Sequence, residues 1–231
     1  MEDHIIVNGQ HLETPAWVVT WQEDGRIVHF SGDRRQPSSV SEIVLHESVT
    51  SSVQSTERVL LQRGLGVHLI VSPEGRVTQH ADLSTTRLCH AGGHNGCSIA
   101  IEVVNPYYGS KGAPLPWTRV IHAAWADKGK YIVPTIEQCL AVSNLIQTIT
   151  TAGMVPRHWV GWKNNTLAMS KLPAERQSRT PGIWAHTYCA HADGAFLVLY
   201  TILHMEQGLS SGAAYERAIQ LASTQQKTIQ L

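Results

Sequence analysis

Apolar residues recur along this chain with two spacings, one of about two residues and one near 3.6, and the alternation between them predicts the elements. Near the N-terminus, Ile5-Ile6-Val7 precedes the turn signal Asn8-Gly9. Further on, Trp17-Val18-Val19-Thr20-Trp21 precedes Glu23-Asp24-Gly25 and then Arg26-Ile27-Val28-His29-Phe30. Both patterns predict β-hairpins before about Val40. Ser31 to Ser39 is polar, contains Arg34, Arg35 and Pro37, and reads as a linker. An apolar strand then ends at His46. Ser51 to Arg63, apolar at Val53, Val59 and Leu60 with a charged opposite face, predicts a helix capped near Ser55.

Val67 to Val71 and Arg76 to His80 predict another hairpin around Ser72-Pro73-Glu74-Gly75, and Ser98 to Val104 a buried strand. Asn105 to Lys130 reads as a long loop carrying Tyr107, Tyr108, Pro114, Pro116, Trp117 and Trp125. Thr135 to Ala152 has the cleanest helical period, with Ile136, Leu140, Val142, Leu145, Ile146 and Ile149 on one wide face. Met154 to Pro181 reads as irregular, Ala195 to Glu206 as a buried helix, and Ala213 to Leu221 as a short amphipathic one. Strands interleaved with helices predict an α/β domain built on a mixed sheet. We expect an N-terminal β-rich extension and linker over residues 1–40, the main domain over 41–207, and a helical tail over 208–231.

Two of these strands carry residues that apolar strands rarely hold. Glu42-Ile43-Val44-Leu45-His46 ends in an imidazole, and Ser98-Ile99-Ala100-Ile101-Glu102 ends in a carboxylate that must be paired, solvated or put to use. Downstream, His186, His191 and Asp193 gather within a few residues. Together they point to a metal-centred hydrolytic site. The 18 basic and 18 acidic side chains balance, which leaves no electrostatic footprint for nucleic acid. Seven Trp and six Tyr against two Phe suit contact with sugar or peptide as well as ordinary packing. Cys89, Cys97, Cys139 and Cys189 lack metal-knuckle spacing and are expected to be reduced, buried and inert. Met1-Glu2-Asp3-His4 opens no secretory signal, and no run is long enough to span a bilayer, so synthesis as a soluble cytoplasmic protein is expected.

Five segments in order carry a resemblance. They are Ile43-Val44-Leu45-His46, Val67-His68-Leu69-Ile70, Glu74-Gly75-Arg76-Val77-Thr78-Gln79, His90-Ala91-Gly92-Gly93, and Asn95 through Ser98-Ile99-Ala100-Ile101-Glu102. Over roughly Ser41 to Leu203 the chain resembles the zinc N-acetylmuramoyl-L-alanine amidases, whose fold is shared with peptidoglycan-recognition proteins and phage lytic amidases. The resemblance implies a central mixed sheet flanked by helices, with zinc in a surface groove. It implies His46, His186 and Asp193 as metal ligands, the aspartate standing where other members use cysteine. Two imidazoles, one carboxylate and an open fourth position suit a catalytic zinc.

By the same resemblance Glu102 is the general base, and His191 stands where relatives commonly carry an oxyanion-stabilising lysine. A histidine there would make activity more sensitive to pH near neutrality. The short segment between His186 and Asp193 leaves His191 as a competing ligand, although the Trp184-Ala185-His186 context favours His186. Val67 replaces a tyrosine found in many relatives. His90 resembles a histidine lining the substrate groove, and Asn95 either bonds substrate or shapes its turn. His68 is expected to be structural. His80, His94, His122 and His158 match no family position. Trp117, Trp125, Trp159 and Trp162 lie in predicted loops where glycan or peptide could stack.

The expected activity is cleavage between N-acetylmuramic acid and L-alanine of the peptidoglycan stem peptide. A recognition module without catalysis, or a zinc hydrolase of another acylated peptide, would share much of the pattern. The settings open to such a chain are recycling of wall fragments, phage lysis and dedicated export.

Overall fold

A computed structural model describes residues 3–106, 118–174, 179–223 and 226–231. Its centre is a six-stranded mixed sheet in the order Gly182–Ala185, Glu42–Glu47, Ser98–Val103, Leu69–Val71, Val77–Gln79, Val18–Thr20. The first four strands run parallel. Val77–Gln79 turns back antiparallel to Leu69–Val71, as the Pro73-Glu74-Gly75 turn predicts, and Val18–Thr20 lies parallel to Val77–Gln79 at the edge. Fully buried runs such as Glu42–Glu47 and Ser98–Val103 are what a parallel sheet covered on both faces requires.

Helices α1 (Val53–Gln62), α2 (Ile136–Thr151), α3 (Ala195–Met205) and α4 (Ser211–Ala222) complete the layers. The cap of α1 is Ser52, with Ser55 closing the capping box three residues on; for α2, Thr135 and Gln138 do the same. On one sheet face Ile99, Ile101 and Val103 pack into the large core that holds α2, α3 and α4. On the other, Ile70 and Ala100 meet Leu60 of α1 in a smaller cluster. Period-two alternation puts Glu102 on the α1 face together with Ala100.

Several sequence expectations are corrected. Asp3–Val7 and Gln10–Thr14 form the first hairpin, but the second does not form, because Val18–Thr20 pairs with a distant strand instead of Arg26–Phe30. Ile5, Ala16 and Val18 belong to the main core. Inside the expected linker, Arg35 is half-buried and donates to the carbonyls of Leu83, Ser84, Asn95 and Ser98; loss of solvent around it lowers its pKa to about 10. The expected 105–130 loop contains Arg119–His122, which pairs with Lys130–Val133. Tyr107, Tyr108, Pro114, Pro116 and Trp117 of that segment lie outside the described residues. Within the expected irregular stretch, Trp162–Lys163 and Thr166–Ala168 form a small sheet with Thr228–Gln230 from the chain end.

Trp125 and Trp159 are buried, with their indole N–H groups donating to Ala222 O and to Glu206, so they are packing residues and not stacking platforms. All four cysteines are free thiols, yet only Cys97 and Cys139 are buried; Cys89 is exposed and Cys189 half-buried. Among the described residues, no helix is long and apolar enough to cross a membrane.

His68 is fully buried, and its surroundings fix its protonation. Nδ1 accepts the Ala100 N–H at 3.1 Å, so the ring proton sits on Nε2, 2.9 Å from Thr86 O. Burial, and then the Arg35 charge, push its pKa down to about 3. An unfolded chain takes up this proton near 6.5, so the stability due to neutral His68 is complete above that pH. It declines as pH falls from 6.5 toward 3, by about 1.4 kcal/mol per pH unit. Imidazole NMR should show the neutral Nε2–H tautomer still present at pH 5; a midpoint between 6 and 7 would contradict the assignment.

Candidate metal centre

Three backbone features bring distant residues to one point. His46 lies at the C-terminal end of Glu42–Glu47, and its rung partner across the parallel ladder is Glu102. On the other side Ala185 pairs with Leu45, so the next residue, His186, leaves the sheet beside His46 and opens a short 3-10 turn. The chain returns through Asp193 to Gly194, which starts α3 with φ of 79° and sits so close to the sheet that a Cβ would collide with Leu45 O. Only glycine fits there, and its position carries Asp193 to the end of the His46 strand.

Nitrogen and oxygen atoms of His46, His186 and Asp193 all lie within 4.8 Å of one another, and all three residues are buried. The His46 and His186 rings are 4.3 Å apart. His186 Nδ1 stands 2.9 Å from Asp193 Oδ1, an oxygen that takes no hydrogen bond among the described residues. The same Nδ1 is in hydrogen-bond contact with Asp193 Oδ2 at 3.3 Å, so the imidazole and the carboxylate face each other while Oδ1 is left available to a cation. The donor set, two imidazoles and one carboxylate, fits zinc with a position left open. Burial first, and then the neighbouring imidazoles, hold His46 well below the usual histidine range, which keeps it in the neutral, ligating form.

A cavity of about 260 Å³ opens over this cluster, bounded by Val59 and Leu60 of α1 and by Arg63 just past its C-terminal end. Glu102 faces it without any hydrogen-bond partner among the described residues. Burial pushes this carboxyl well above the usual range, and the carboxylates of Asp193 and Glu47 add to the shift; Arg63 opposes it. A dication held among these carboxylates would oppose that shift and favour the ionised form. A second cavity, of about 580 Å³, continues past Arg63 and His191 along Gly92 and Gly93.

His191 is exposed, lines both cavities, and lies 5.3 Å ring to ring from His186. It is not among the three residues whose donor atoms converge. His90 also lines both cavities, but its nitrogens face protein: Nδ1 is 3.0 Å from His46 Nε2, and Nε2 is 3.0 Å from Ser98 Oγ. Asn95 Oδ1 receives the backbone N–H groups of His90 and Ala91, so it shapes the turn that forms the groove floor. His94, unassigned from the sequence, forms a buried pair with Glu42 at 2.8 Å. Sequence reasoning also passed over Glu47, a buried carboxylate bordering the metal cavity. Its sequence neighbours His46 and Ser48 are polar, so no apolar run marks it in the way that one marks Glu102.

Solved structures with similar backbones include the amidases LysC and LysCS from Clostridium intestinale URNW. LysC is 12% identical, with a TM-score of 0.48, covering 84% of this chain and 98% of that one. LysCS, an endolysin, is 12% identical with a TM-score of 0.44, covering 77% and 85%. Human PGRP-IBETAC, solved in complex with glycosamyl muramyl pentapeptide, is 13% identical with a TM-score of 0.46, covering 82% and 95%. No curated protein matches the sequence. The family model for N-acetylmuramoyl-L-alanine amidase matches residues 36–193, a span that includes His46, Glu102, His186 and Asp193. With more than half its length matched, the chain belongs to the N-acetylmuramoyl-L-alanine amidase family.

Proposed function

We propose that this chain is a zinc-dependent N-acetylmuramoyl-L-alanine amidase that cleaves the bond between N-acetylmuramic acid and the L-alanine of a peptidoglycan stem. The observation that supports it is the convergence of His46, His186 and Asp193 beside the unpartnered carboxylate of Glu102, within one cavity. His46, His186 and Asp193 would hold the metal. Zinc, when bound, supplies Lewis acidity toward the amide carbonyl and toward water.

The remaining work falls to the protein. Glu102, one ladder rung from His46, takes the proton of the attacking water and later returns it to the departing alanine nitrogen. His191, exposed at the junction of the two cavities, donates an N–H toward the developing oxyanion. The apolar wall of Val59, Leu60 and Val67 excludes water from one side, and the glycine-rich floor lets an extended substrate approach the backbone. His90 and Asn95 shape that floor, with His90 seated against His46.

Purified protein should carry stoichiometric zinc by elemental analysis. Intact sacculi and soluble anhydro-muropeptides should both be offered to it, with mass spectrometry of the products. Free stem peptides beginning with L-alanine are expected, and their absence in the presence of bound zinc would refute the amidase reading. Muropeptide retained intact would instead mark a recognition module. Solubilised sacculi would mark a lytic role, and preference for soluble fragments a recycling one.

A further inference from the structure

Glu47 follows His46 in the same strand and is 3% exposed. Its carboxylate is met by donors from three separate parts of the chain. Oε1 receives the Tyr131 hydroxyl at 2.6 Å and the Gly194 backbone N–H at 3.1 Å; Oε2 receives Asn105 Nδ2 at 3.2 Å. Asn105 is itself held by a bond from Nδ2 to Ile132 O at 2.8 Å. Both carboxylate oxygens are therefore engaged by protein, which leaves Glu47 in a role different from that of Glu102.

The bond to Gly194 matters most. Gly194 opens α3 with no side-chain cap of its own, and its buried N–H would lack a partner without Glu47. The residue just before it is Asp193. From this geometry we propose that Glu47 is a positioning residue: by holding the Gly194 N–H at the end of the His46 strand, it sets the Asp193 carboxylate against the two imidazoles. Two consecutive strand residues then fix the metal site, His46 as a ligand and Glu47 as the anchor of the loop that supplies another. This assignment rests on the reading of His46, His186 and Asp193 as the metal ligands. Partners that orient ligands from behind typically change metal affinity by about 10- to 100-fold.

The test compares Glu47→Gln with Glu47→Ala. Glutamine keeps one oxygen for Tyr131 and Gly194 while removing the charge; alanine removes the anchor. Zinc affinity is measured by competition with a chromophoric chelator, cobalt(II) absorption reports ligand geometry, and amide hydrogen exchange is followed at Gly194 in the metal-free protein. Glu47→Gln should bind zinc near the wild-type level with Gly194 still protected. Glu47→Ala should bind about 10- to 100-fold more weakly, with an altered cobalt spectrum and faster Gly194 exchange. Equal loss of affinity in both variants with unchanged Gly194 exchange would make the effect one of charge and overturn the proposal, as would wild-type behaviour in both. Failure of the wild type itself to take up zinc would sink the metal reading, and Gly194 exchange would then decide the anchoring role by itself.

Discussion

Glu102→Gln is expected to fold, to keep its zinc, and to lose turnover by about 100- to 10,000-fold, the usual contribution of a positioned acid–base group. Glutamine matches the carboxylate in shape but cannot accept a proton. Because Glu102 makes no hydrogen bond among the described residues, the substitution breaks no structural contact, and glutamine fills the same buried space. Thermal unfolding should therefore move little. Elemental analysis of the variant, kcat on a muropeptide and the unfolding midpoint together check the claim. Unchanged turnover would remove Glu102 from the chemistry.

Gly194→Ala should have the opposite profile, failing in stability and metal binding at once. The site needs a left-handed backbone, and the added methyl would strike the carbonyl of Leu45 in the central sheet. Backbone strain together with that collision should cost roughly 3 kcal/mol. Any relief that moves α3 away from the sheet also moves Asp193 away from the imidazoles. Chemical denaturation should show the loss of stability, and chelator competition should show weakened zinc binding in the fraction that remains folded. A variant with wild-type midpoint and wild-type zinc affinity would show that the turn yields more readily than its contacts imply.

What was legible in the sequence was whatever local chemistry encodes. The His46 and Glu102 strands could be read because an ionisable residue at the end of an apolar run stands out, and α2 because its apolar period is long. Val18–Thr20 was misassigned for a physical reason: a nearby turn signal favours a hairpin, while parallel pairing with Val77–Gln79 leaves no local trace. Arg35 looked like a linker residue because charge predicts exposure. Its partial burial depends on four carbonyls gathered from two distant segments. Glu47 was passed over for the same reason, since its donors lie at Asn105, Tyr131 and Gly194, far away in sequence. Residue types alone pointed to a metal site from His46 and the downstream His/Asp cluster, and the resemblance named His46, His186 and Asp193 within it; the backbone that delivers their convergence, a 3-10 turn followed by a left-handed glycine, was not legible.

The ladder that pairs His46 with Glu102 also bears on how such a chain can diversify. Adjacent strands sit about 4.8 Å apart in every sheet, so the offset between these two groups is inherited from the polypeptide itself. Mutational drift at α1 or in the glycine-rich floor can reshape what the groove admits without retuning the distance between these two groups. New substrate preferences would then be expected to arise at the rim, over a centre that stays constant.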